Sequence, residues 1–117
     1  MIDLEKMAKE HEKLFPKATL ESQVWKLEEE IKEFWDAPKM NKINELADIV
    51  IVLGGLYRWC PIVAFEFYEG LTCMDYNWSL VEEEVESKWQ INLKRKWEWN
   101  GKTYHHIEEK NDENTNN

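Results

Sequence analysis

Residues 43–55, INELADIVIVLGG, restrict the fold more than any other stretch of the chain. The β-branched IVIVL would suit a buried strand. NELAD, just before it, is a good helix start with carboxylates in the first turn. Read as a helix, Leu46–Leu53 is apolar all round, Asp48 excepted, which makes it the central and most buried element of a bundle. Gly54 and Gly55 then let a neighbour approach closely or loosen the helix.

The flanking segments favour the helical reading. Ile2, Met7, Leu14 and Phe15 give a loose helical pattern that Pro16 ends. Thr19 is an N-cap for a second helix running to about Ala37, with Leu20, Val24, Leu27, Ile31 and Phe34 on one apolar face. Pro38 closes it, and Asn41 caps the third helix from Lys42. Residues 57–78, punctuated by Pro61 and rich in aromatics, have no assignable structure. Ser79 and Glu82 form a capping box before the last long helix, and Asn100–Gly101 marks a short hairpin or turn. The expected fold class is all-α, a bundle of about four to five helices in one domain over residues 1–107. The polar segment 108–117 is expected to be a disordered tail.

With 43% hydrophobic residues and seven Trp, the 117-residue chain can bury a real core. Its net charge of −9 argues against a nucleic-acid polymer as partner. It leaves room for a single nucleotide delivered with a divalent metal. No segment is long and apolar enough for a membrane span, and the charged start is unlike a signal peptide. Cys60 and Cys73, without metal-ligand spacing, fit reduced thiols in a cytoplasmic protein.

The carboxylates carry the functional signal. At about 100° per residue, Gln23, Lys26, Glu30 and Glu33 share one flank of the second helix, beside its apolar face. Glu45 and Asp48 stand one turn apart on the third. The intervening residues 34–44 contain a helix end, Pro38 and an N-cap, enough to return the chain antiparallel. Four carboxylates would then meet at the seam and raise one another's pKa values unless a cation joined them. Oxygen-only ligation suits Mg²⁺, or Mn²⁺ in its place. A solvated acidic face is the competing reading.

These residues resemble the MazG-like nucleotide pyrophosphohydrolases, of the all-α NTP pyrophosphatase superfamily. The family pattern E-E-x-x-E, spacer, E-x-x-D is matched by Glu29-Glu30-Ile-Lys-Glu33 and Glu45-Leu-Ala-Asp48. KWQINLKRKWEWNGKTYHH is similar to a second family stretch at Lys88, Asn92, Arg95, Trp97, Gly101 and His105 or His106. The likeness covers roughly residues 14–106, with nothing usable in 57–78. It implies hydrolysis of an NTP or dNTP between the α and β phosphates. Glu30, Glu33, Glu45 and Asp48 would ligate Mg²⁺, and Glu29 or Glu30 would take the proton of the attacking water. Gln23 and Lys26 share the acidic flank and could touch substrate or pair with Glu30; Lys26 is the substrate-binding candidate. Lys88, Asn92 and Arg95, at i, i+4 and i+7 on one helix, would steady the triphosphate. A homodimer or homotetramer is implied as well. The base and sugar are not legible.

Two other readings stay open. One is a catalytically silent helical module that binds a nucleotide or a protein. The other is a structural oligomeriser with a solvated acidic face. Trp25 and Trp35 fit core or subunit contact better than base stacking. His105 and His106 fit a phosphate contact or an exposed turn better than a metal pair.

Overall fold

The computed structural model describes residues 1–108, so the tail from residue 109 lies outside the described residues. The elements run α1 (Leu4–Leu14), α2 (Leu20–Asp36), α3 (Lys42–Leu56), α4 (Pro61–Thr72) and α5 (Trp78–Lys94), then a hairpin of β1 (Trp97–Trp99) and β2 (Tyr104–His106). The fold is mostly helical, as expected.

The apolar run is a helix and it is the core. Leu46, Ala47, Val50 and Leu53 are fully buried, and α1, α2, α4 and α5 all pack on α3. Surrounding burial overrides the strand preference of IVIVL, since each fully buried aliphatic side chain contributes about 1.5–3 kcal/mol. Gly54 and Gly55 sit where α1 and α2 press closest. A Cβ at Gly54 would stand 2.4 Å from Met7 Sδ, and one at Gly55 would stand 2.3 Å from Gln23 Oε1.

Helices α2 and α3 are antiparallel. The Lys42 ammonium reaches the Phe34 carbonyl and lies over that ring, Asp48 faces Glu30, and Gly55 meets Gln23. Thr19 caps α2 as expected, in a reciprocal box with Ser22: each backbone N–H donates to the other's hydroxyl, at 2.9 and 3.0 Å. The apolar face of α2 is only partly used, however. Phe34 is buried and Leu27 and Ile31 are half-buried, while Leu20 and Val24 are each 40% exposed.

Three local expectations are corrected. Asn41 holds the N-cap position of α3 but forms no side-chain cap, because a 3₁₀ turn at Lys39–Asn41 feeds the helix directly. The capping box at Ser79 and Glu82 is absent. Asn77 caps α5 instead, accepting from the Leu80 N–H at 3.4 Å, and Glu82 pairs with the Met1 ammonium at 3.2 Å. The earlier start brings Trp78 into α5, edge-on to Tyr68 with ring centroids 5.9 Å apart. Finally, α5 stops at Lys94 and Arg95 is extended (ψ 160°), so Arg95 does not share a helical face with Lys88 and Asn92.

The segment without assignable structure is α4. Pro61 supplies its first turn, where a missing N–H costs nothing. Ala64, Tyr68 and Leu71 are its buried side, and the Tyr68 hydroxyl accepts from the Ile2 N–H at 3.1 Å. The hairpin folds back over the α1–α2 connection. Tyr104 Oη accepts from the Lys17 N–H at 2.9 Å, and the Phe15 ring packs on Trp97 and Tyr104. Gly101 adopts φ +93°, while Asn100 Oδ1 accepts from the N–H groups of Lys102 and Thr103, both at 2.8 Å.

Candidate metal centre and adjoining cavity

Glu30 of α2 and Glu45 and Asp48 of α3 each present a carboxylate oxygen within 4.8 Å of the others. The i, i+3 spacing on α3 and the antiparallel crossing of α2 produce this convergence. In two of these residues one carboxylate oxygen, Glu30 Oε1 and Glu45 Oε1, is buried without a hydrogen-bond partner among the described residues. Orphaned buried carboxylate oxygens are costly and rare. Burial, followed by the charges of Asp48 and Glu33, raises the Glu30 pKa to about 8. Burial also lifts Glu45 above the usual carboxylate range, again with Asp48 and Glu33 contributing. An all-oxygen set with unsatisfied inward atoms fits a hard divalent cation.

Glu33 is not one of the three converging groups. It is exposed, one turn along from Glu30, and acts on Glu30 and Glu45 through its charge. Glu29 is exposed too, with its carboxylate 3.6 Å from Lys26. Lys88 donates to Asp48 Oδ1 at 2.7 Å and to the Asn44 carbonyl at 3.3 Å.

A cavity of roughly 330 Å³ opens beside the carboxylates. Glu30, Asp48 and Lys26 line it, and so do Asn92 and Arg95, which the extended cap conformation still brings to its wall. His105 and His106 line it as well, on β2 rather than in a loose turn. Phe15, Trp89, Trp97 and Tyr104 give it an aromatic side.

Sequence reasoning missed the floor of this cavity. His11 is 5% exposed, with its ring 4.7 Å from Phe15, and Arg58 NH1 lies 3.0 Å from His11 Nδ1. Burial first, then the Arg58 charge, lowers the His11 pKa to about 3. A signal existed: Leu4, Ala8, His11 and Phe15 fall at i, i+4, i+7 and i+11, the buried side of α1.

No family model, curated protein or solved structure matches the chain in comparison.

Proposed function

We propose that the chain is a divalent-metal-dependent nucleoside triphosphate pyrophosphohydrolase of the MazG-like kind. It would cleave an NTP or dNTP to a monophosphate and pyrophosphate. The observation that carries this reading is the pair of buried, unpartnered carboxylate oxygens, Glu30 Oε1 and Glu45 Oε1, beside Asp48 at the edge of a nucleotide-sized cavity. Glu30, Glu45 and Asp48 would hold Mg²⁺ or Mn²⁺, with exposed Glu33 completing the acidic rim. When bound, the ion neutralises phosphate charge and acidifies the attacking water.

The chain's own groups do the rest. Glu30 faces the cavity and receives the water's proton, whereas Glu29 stays outside beside Lys26. Arg95, Asn92 and Lys26 line the cavity and bind phosphate oxygens, Arg95 with its planar fork. Lys88 acts through Asp48, to which it is hydrogen-bonded. Exposed Leu20, Val24 and Trp35 on α2 and Ile62, Val63 and Phe65 on α4 support assembly as a homodimer or homotetramer, which sedimentation would test.

A silent nucleotide-binding module is favoured by one observation. Lys88 already neutralises part of the carboxylate cluster without an ion. A panel of NTPs and dNTPs with Mg²⁺ separates the two, read by resolving monophosphate plus pyrophosphate from diphosphate plus phosphate. Pyrophosphate release that EDTA stops supports the enzyme. Nucleotide binding without turnover, even with Mn²⁺, refutes it.

A further inference from the structure

Resting on that reading, we propose that the inner end of the cavity selects nucleotides by the base edge farthest from the sugar. A carbonyl there, as in guanine, uracil or thymine, is accepted over the amino group of adenine or cytosine.

The proposal follows from a chain of hydrogen bonds with only one consistent direction. Arg58 is always a donor, because a guanidinium keeps its protons. Its NH1 donates to the Phe15 carbonyl and faces His11 Nδ1, each at 3.0 Å. Nδ1 must therefore accept, which puts the proton of the neutral imidazole on Nε2. The lowered His11 pKa agrees with a ring that stays neutral.

Nε2 in turn lies beside Gln23 Oε1. Both atoms crowd the same spot over Gly55, where a Cβ would be 2.6 Å from one and 2.3 Å from the other. With its proton on Nε2, His11 is placed to donate to Gln23 Oε1, in keeping with the side-chain hydrogen bond from Gln23 that acts on its pKa, and this orients the amide. Its NH₂ group remains. One N–H approaches Ser22 Oγ at 3.4 Å, and the other has no protein partner among the described residues. Ser22 offers no spare donor, since its hydroxyl donates to the Thr19 carbonyl at 2.7 Å. Gln23 is 7% exposed and lines the cavity. The cavity therefore presents a buried, oriented donor at this spot.

The placement suits a base. Gln23 lies seven residues before Glu30 on α2, about 10 Å along the axis, close to the span from a scissile phosphate to the far edge of a base. His11 contacts Phe15, and Phe15 contacts Trp97 and Tyr104, so an aromatic wall adjoins this end. An exocyclic amine placed here would set donor against donor in a desolvated site, which buried sites reject strongly. Gln23 is the specificity-determining residue, and His11 and Arg58 are positioning residues.

The test is kcat/KM of the full chain with Mg²⁺ for two matched pairs, GTP against ATP and dUTP against dCTP. The carbonyl member is expected to lead by roughly tenfold or more in both pairs. Gln23→Met, which donates nothing, should bring both ratios close to one. Arg58→Met, which frees the imidazole to switch tautomer, should narrow them. Equal values in the wild-type chain, or a lead for the amino members, overturn the inference and leave the pyrophosphohydrolase reading standing. Full ratios retained in Gln23→Met also overturn it. No pyrophosphate from any of the four nucleotides overturns both.

Discussion

The Lys88 ammonium on α5 donates to Asp48 Oδ1 on α3 across 2.7 Å, so one cation of the chain already sits on the carboxylate cluster. A divalent ion entering the cluster must share Asp48 with it. Both side chains are partly exposed, so the pair contributes only about 1 kcal/mol to stability. Lys88→Met is therefore expected to lower metal-free stability by about that amount. The variant should also bind Mn²⁺ several-fold more tightly in calorimetry without nucleotide, because a competitor for Asp48 is gone. An unchanged or weaker Mn²⁺ affinity would show that Lys88 does not compete.

On the proposed reading, the raised pKa of Glu30 would link metal binding to pH. Its folded value, about 8, lies above the ordinary 4.5. Between the two the unfolded chain has released a proton that the folded chain keeps. The metal-free fold therefore loses this stabilisation as pH rises through that window. Mg²⁺ bound through Glu30 would have to displace the same proton. The increase in Tm caused by Mg²⁺ is expected to be larger at about pH 9 than at about pH 6. An increase independent of pH over that range would exclude Glu30 as a ligand.

Glu45→Gln removes a charge from the cluster and leaves the shape of the side chain. Without metal the variant should melt a few °C higher, since one repelling and unsatisfied carboxylate is gone. With Mg²⁺ it should lose the metal-induced rise and at least about a hundredfold in kcat/KM, given that even outer-shell changes at metal sites reach that size. Thermal melts with and without Mg²⁺, beside a pyrophosphate assay, read both effects. A melting temperature that falls in the absence of metal would show that Glu45 is not strained in the metal-free fold.

Much of this arrangement was legible because it is local. The Thr19 cap, the Glu45–Asp48 spacing and the helix break near Pro38 each depend on a few neighbouring residues, and together they bring α2 back along α3. What escaped was non-local or locally ambiguous. His11, Gln23, Gly55 and Arg58 lie on three helices and a connection, and only the packed fold joins them. Residues 61–72 are so apolar and aromatic that no polar face marks their helical period, which hid α4. Glu33 stands one turn from Glu30 as its spacing implies, but on a more exposed part of α2, outside the converging trio. Arg95 missed its helical face because α5 ends one residue before it.

Gly55 tests how tightly the cavity floor is built. A methyl there would meet Gln23 Oε1 at 2.3 Å and His11 Nε2 at 2.6 Å, and both side chains are buried. Overpacking of this kind costs about 1–3 kcal/mol, against about 1 kcal/mol gained from the helix propensity of alanine. Gly55→Ala is expected to be less stable in urea denaturation and to lose discrimination between carbonyl and amino bases. A variant as stable as the parent, with the same discrimination, would mean that the His11–Gln23 contact is loose.

His11 makes the fold sensitive to acid. Its folded pKa of about 3 is below the ordinary 6.5, because burial and the facing Arg58 both oppose a second proton on the ring. Between these values the unfolded chain takes up a proton that the folded chain refuses, so stability is lost as pH falls from about 6.5 towards about 3. Glu30 has the opposite slope over part of this range, so the contribution of His11 is read as a difference between variants. His11→Gln keeps a neutral acceptor for Arg58 and cannot titrate. From neutral pH down to about pH 4.5 it is expected to lose about 2 kcal/mol less stability than the parent chain. Parallel pH profiles for the two proteins would mean that His11 takes up its proton in the folded state, and the fixed tautomer on which Gln23 depends would fall with it.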